Sequence, residues 1–142
     1  MAESIIPAEH ESALASLRNS RLVELRFEPI RNQLALTFRA EDDSVVRLVL
    51  RDVIQFNYSN STYEPMPERP EDFYVGEVTL VRVTDGGQRI LTFLHHQFVH
   101  SDNYSQVQYY PGVPLFYVHI DGEVMLDAVG TKYDLGPVSA SQ

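Results

Sequence analysis

The stretch "LTFLHHQFVH" (91–100) places His95, His96 and His100, three of the five histidines in the chain, within six positions. Imidazole is the side chain best suited to hold or move a proton near neutral pH, and it is a frequent metal ligand. Read as a β-strand over 89–99, the segment sends neighbouring side chains to opposite faces. His95 then shares a face with Leu91, Phe93 and Val99, while His96 and His100 share the other with Leu94 and Phe98. Four strand steps separate the last two by roughly 13 Å. Two nitrogens on one zinc each lie about 2 Å from it, so His96 and His100 cannot share a metal on a straight strand. A site must instead form across strands. His119, in "FYVHID", is the histidine that a neighbouring strand would bring beside His95 or His96, with Asp121 or Asp127 as the carboxylate.

Other chemistry is poorly represented. The chain has no G-x-S-x-G elbow, no phosphate-binding glycine loop and no H-E-x-x-H pair. "TDGGQ" (84–88) holds the only adjacent glycines and reads as a hairpin turn between two strands. "EDDS" (41–44) clusters acids without the spacing of an EF-hand loop and reads as a solvated turn. The pair Glu71–Asp72 would serve glycoside chemistry only beside a further acid. Asp52, in "LRDVIQF", interrupts an apolar run and marks either a bulge or a buried, hydrogen-bonded acid. No metal and no cofactor are expected.

Two segments differ from the rest in makeup. Residues 58–74 and 101–112 together hold six of the eight tyrosines, mixed with serine and asparagine. Recognition loops favour that mixture because tyrosine brings a large contact area with few rotatable bonds, while Ser and Asn supply adaptable hydrogen bonds. Tyr58, Tyr63, Tyr104, Tyr109 and Tyr110 are the candidate partner-binding residues. Twenty acidic residues against eleven basic ones give a net charge of −9. Such a surface repels nucleic acid and anionic membranes and steers a basic protein partner. Cysteine is absent, which excludes disulfides, thiol catalysis and thiolate metal sites and makes the cytoplasm the default location. No apolar run approaches the roughly 18 residues of a membrane span, and "MAESIIPAEH" lacks the basic region of a secretory signal.

The elements that must position these residues follow from hydropathy. Residues 7–19 read as a short helix, with Pro7 in the first turn, Glu9 and Glu11 at the positive end and Asn19 as the stop. From residue 21 the apolar period becomes two. Val23, Leu25 and Phe27 alternate with charged residues and pair, through "PIRNQ", with Leu34, Leu36 and Phe38. Val46, Leu48 and Leu50 continue on a third strand. Residues 74–83 and 89–99 flank the glycine turn, and 114–129 contain two further strands about a two-residue type I′ turn at Asp121–Gly122. Residues 58–74 and 101–112 are long loops, although "YSQVQYY" could extend a strand.

The expected fold is therefore all-β (or β-rich α+β). It is a single domain over 1–142, an antiparallel sandwich or barrel of about seven or eight strands over 21–135, with the helix 7–19 and a frayed tail at 136–142. The expected function is a non-enzymatic acidic binding protein. The alternatives are a small-ligand or metal-dependent enzyme centred on His95, His96 and His119, and a homo-oligomer formed through an uncovered edge or the "LFYVHI" strand.

Overall fold

The computed structural model describes residues 6–60, 73–94, 97–99, 105–107 and 110–138. Helix α1 (Ala8–Ala15) starts after Pro7 and carries Glu9 and Glu11 in its first turn, where the dipole favours carboxylates. Turns follow, and Asn19 adopts the left-handed region at φ 60° before β1 begins. The helix is thus shorter than the 7–19 expected. Leu14 and Leu17 anchor this segment in the interior of the sheet.

Strands β1 (Ser20–Glu28) and β2 (Gln33–Arg39) form the expected hairpin, from Arg21 opposite Arg39 to Glu28 opposite Gln33. The register shifts between Leu22 and Glu24, so Val23 is the extra residue of a bulge. Leu22, not Val23, therefore joins Leu25 and Phe27 on the core side. β3 (Val45–Asn60) places Val46, Leu48 and Leu50 inside, as their period requires. Asp52 then takes a positive φ of 50°, and a second register shift falls between Val53 and Gln55. Asp52 does mark an irregularity, but it is an exposed acid bonded to the Thr131 hydroxyl (3.0 Å), not a buried one.

β4 (Phe73–Val83) leads into "TDGGQ", which does not turn a hairpin. The Asp85 carboxylate accepts the Gly87 amide (2.9 Å) and the Arg89 amide (3.3 Å), and the chain enters helix α2 (Gln88–Phe93). A carboxylate that satisfies the first free N–H groups nucleates a helix as readily as glycines permit a hairpin. Gly87 also has no room for a side chain. A Cβ there would lie 2.7 Å from Leu91 Cδ1 and 2.9 Å from Leu115 Cδ1. The expected strand 89–99 is thus a helix followed by the short β5 (Gln97–Val99), which pairs with β6 (Ser105–Val107) in a separate two-stranded ribbon.

β7 (Leu115–Gly122) and β8 (Val124–Pro137) form the last hairpin. Its turn is not the two-residue one expected, because Asp121 and Gly122 are still paired with Glu77 and Val75 of β4. Gly122 is required by close approach: a Cβ would lie 2.4 Å from the Tyr74 carbonyl oxygen. β8 runs past the expected end of the body. Gly136 pairs with Arg47 and Pro137 with Val46, and the Val138 amide donates to the Val45 carbonyl (2.8 Å), so 136–138 are held in the sheet.

One antiparallel sheet thus contains six strands, fewer than the seven or eight expected, in the order β1-β2-β3-β8-β7-β4, and β1 pairs again with β4 through Ser20–Leu22. β7 lies between β4 and β8, so "LFYVHI" offers no free edge to a second copy. The inner face holds the main core, with Leu34, Phe38, Leu48, Val118, Ile120 and Leu126 almost fully buried. A second, smaller cluster lies outside the sheet, where Leu91 and Leu94 of the α2 segment cover Leu115 and Val129. Among the described residues, no helix is long and apolar enough to cross a membrane.

Candidate functional site

Two places combine residues that sequence analysis singled out with geometry that could serve a function. The first is on the outer face of the sheet. Thr79 of β4, His119 of β7, Asp127 of β8 and Asn57 of β3 stand opposite one another in consecutive registers, forming one polar row across four strands. His119 Nδ1 lies 2.8 Å from Asp127 Oδ1, and the Tyr117 hydroxyl donates to the same oxygen. The Tyr117 and His119 rings stack with centroids 6.3 Å apart. A carboxylate only accepts, so Nδ1 carries the hydrogen and Nε2 is the nitrogen left to accept a proton or a ligand hydrogen bond. Burial pushes the Tyr117 phenol well above its ordinary range, and its hydrogen bond to Asp127 and the charge of that carboxylate push it further the same way. Tyr117 is thus held as a neutral donor.

The neighbouring polar residues are anchored too. The Gln55 amide donates to the Leu94 carbonyl (2.8 Å), tying the end of α2 to β3, and to Asn57 Oδ1 (3.3 Å). Of the two acids considered for His119, Asp127 is the partner. Asp121 faces Glu77 across β4. His95 and His96 lie outside the described residues, as does His100. Leu91 and Phe93 of the same segment lie on helix α2 and not on the expected strand. His10, the remaining histidine, is bonded through Nδ1 to the Tyr133 hydroxyl (2.7 Å). Among the described residues, no three His, Asp or Glu converge as a metal-ligand set. Tyr117 was missed in the sequence, although its position two residues before His119 on a strand puts both on one face.

The second place is one end of the sheet. A cavity of about 360 Å³ opens there, lined by Leu22, Val23, Glu24 and Leu25 of β1, Phe56 and Tyr58 of β3, and Phe73 of β4. The ring of Phe56, one of its walls, also meets that of Phe27, with centroids 5.0 Å apart. Tyr58 is 45% exposed, so this member of the expected recognition set sits on a strand at a cavity rim. Tyr110 does not extend freely into solvent. It is partly buried against the second cluster, and burial raises its phenol pKa. Tyr63, Tyr104 and Tyr109 lie outside the described residues.

The molecule is thus defined as a single all-β domain, cysteine-free, built on one antiparallel six-stranded sheet with short helices against it. No known protein family and no curated protein matches it. Two chains of known structure do. One is the crystal structure of an uncharacterized protein from Neisseria gonorrhoeae, 11% identical, with a TM-score of 0.44 over 85% of this chain and 93% of that one. A likeness of that degree identifies neither a shared activity nor a shared site.

Proposed function

We propose that this is a non-enzymatic, cytoplasmic binding protein, a small six-stranded barrel that recognises a basic protein partner through the end bearing Tyr58. The observation that carries the reading is the cavity beside that residue. Its walls are mainly the apolar side chains of Leu22, Val23, Leu25, Phe56 and Phe73, its size suits one or two inserted side chains, and an exposed tyrosine stands at its edge. The net charge of −9 would speed encounter with a basic partner without fixing where it docks. Affinity purification from an extract of the source organism, with three baits, tests the reading. The native protein should capture a partner that both Tyr58→Ala and the cavity-filling Val23→Phe lose, with melting temperatures unchanged. A partner held equally by all three would sink the assignment of this end.

A second reading rests on the shared carboxylate of Asp127. An imidazole oriented through Nδ1 by a carboxylate, beside a tyrosine held neutral, is equipped for proton transfer to a small ligand. If this face is functional, His119→Gln should abolish small-ligand binding or turnover while leaving capture by the Tyr58 end intact. Equal loss of both would mean that the substitution had disturbed the fold.

A further inference from the structure

A groove of about 410 Å³ runs on the outer face of the sheet between β4 and α2. Val81 and Val83 of β4, Tyr117 of β7 and Ile90 of α2 line it, with Asp85 and Arg89 where the chain leaves β4 for α2. Tyr117 stands opposite Val81, and in the next row on the same face His119 stands opposite Thr79. Tyr117 therefore belongs both to the groove wall and to the hydrogen-bonded group of Asp127 and His119. One side chain joins the two features. Four strand residues separate the row of His119 from that of Val83, a span of roughly 13 Å.

Each part of this surface specifies a part of a ligand. Valine, isoleucine and the Tyr117 ring favour a flat apolar body, and an aromatic ring buries the most area for the fewest rotatable bonds. At the Asp85 end, both oxygens of that carboxylate are engaged by the backbone: Oδ1 accepts the Gly87 amide (2.9 Å) and Oδ2 the Arg89 amide (3.3 Å). The exposed Arg89 side chain brings positive charge to the same end, and a guanidinium takes a carboxylate through two parallel hydrogen bonds. Toward the other end, the His119 side chain is 28% exposed and its Nδ1 lies 2.8 Å from Asp127 Oδ1. Nε2, on the far side of the ring, accepts a hydrogen bond. A phenolic O–H serves that acceptor better than an aliphatic alcohol, because it is the more acidic donor.

We propose that the groove between β4 and α2 binds a small aromatic carboxylate that carries a phenolic hydroxyl. The carboxylate pairs with Arg89, the ring lies on Val81, Ile90 and Tyr117, and the hydroxyl donates to His119 Nε2. This rests on the proton-transfer reading of His119 above and names its ligand class. The span between the two polar ends suits a ring with a short acidic side chain better than a ring bearing its carboxylate directly. Arg89 selects the charge, His119 selects the hydroxyl, and a ligand lacking either leaves one end unmatched.

The probe is 4-hydroxycinnamate, titrated against the full chain and followed through the amide signals and the His119 ring signals. Binding should saturate below millimolar concentration, with shifts centred on 81–83, 89–90 and 117–119. Cinnamate, which lacks the hydroxyl, and the methyl ester of the probe, which lacks the charge, should each bind about tenfold more weakly. Arg89→Gln should erase the preference for acid over ester while keeping that for the hydroxyl, and His119→Phe should do the reverse. A merely structural role would weaken both preferences together. Arg89 is exposed, so Arg89→Gln carries the test by itself if His119→Phe does not fold. No binding at millimolar probe, shifts centred elsewhere, or an Arg89→Gln protein that still prefers the acid would each overturn the assignment. Small neutral and cationic aromatics, followed through the same His119 signals, separate this failure from that of the reading beneath it. If one of them moves those signals and the probe does not, the proton-transfer reading stands and the carboxylate falls. If none of the ligands moves them, both fall.

Discussion

The two apolar clusters of this molecule lie on opposite faces of one sheet and are closed by different means. Inside the sheet, Leu34, Leu36 and Phe38 of β2 and Val46, Leu48 and Leu50 of β3 fall at every second position, so each strand contributes through its regular pleat. Outside, Leu115 and Tyr117 of β7 and Val129 of β8 take the alternate positions of the same pleat, and Ile54 joins them through the register shift of β3. Strands close the inner cluster on one another, whereas Leu91 and Leu94 of the α2 segment close the outer one, and further along the same outer face turns polar at His119, Asp127 and Asn57. Tyr117 stands at the boundary, packed against the outer cluster through its ring and bonded to Asp127 through its hydroxyl.

Five substitutions would break or sharpen this contrast. Leu48→Ala empties a fully buried site that several strands share. It should cost about 2–5 kcal/mol and lower the denaturant midpoint of the whole sheet at once. Leu91→Ala removes an equally buried side chain from a thinner layer, and should fall near the lower end of that range, about 2 kcal/mol. Its signature is selective: amide exchange should accelerate in α2 while the strand amides stay protected. Equal acceleration in α2 and the strands would mean that the two clusters form one cooperative unit.

At the boundary, Asp127→Ala leaves the Tyr117 hydroxyl and His119 Nδ1 without their acceptor and should cost about 1–3 kcal/mol. The same site shapes the alkaline limb of the stability curve. The folded state raises the Tyr117 pKa above the ordinary value of about 10, and a raised acid is protonated longer in the native state than in the unfolded chain. Its stabilising contribution is therefore complete below about pH 10 and is lost as pH rises from there through the folded value. Tyr117→Phe should reduce that alkaline decline in chemical denaturation, and an unchanged slope would remove Tyr117 from the account. The smallest effect belongs to Arg51 and Asp134, whose carboxylate oxygen lies 2.7 Å from Arg51 Nε and 2.6 Å from Nη2 on the open surface. Arg51→Ala should change stability by about 0–1 kcal/mol, because water screens exposed pairs.

The β1–β2 hairpin and the inner face of β3 were legible because strict alternation of apolar and charged residues has one structural solution when a single face is buried. The β7–β8 hairpin was legible in outline, but its Asp-Gly signal was misleading. Gly122 is there because the backbone of Tyr74 passes against it, a fact that belongs to β4 and cannot be read from residues 121–122 alone. "TDGGQ" failed for a related reason. Gly86 and Gly87 do adopt positive φ, as a hairpin turn would need, but the Asp85 carboxylate caps the next turn and Leu115 packs under it, so a helix follows. The candidate site was half legible. His119 and a nearby aspartate were foreseen, whereas Tyr117 and the cavity walls were not, because the latter come from three strands whose meeting no local pattern encodes.

The amino-acid sequence by itself determined the dominant period of two, the faces of the regular strands, the absence of thiol chemistry and the acidic charge. All of these are properties of residues taken one at a time or in short alternation. The tertiary structure alone decided that α2 takes the place of the first part of an expected strand, that Ser20–Leu22 of β1 pair with β4, and that Asp127 rather than Asp121 meets His119. Each of these depends on which backbone lies alongside which, and strand pairing between distant segments is chosen by the packing of the whole sheet.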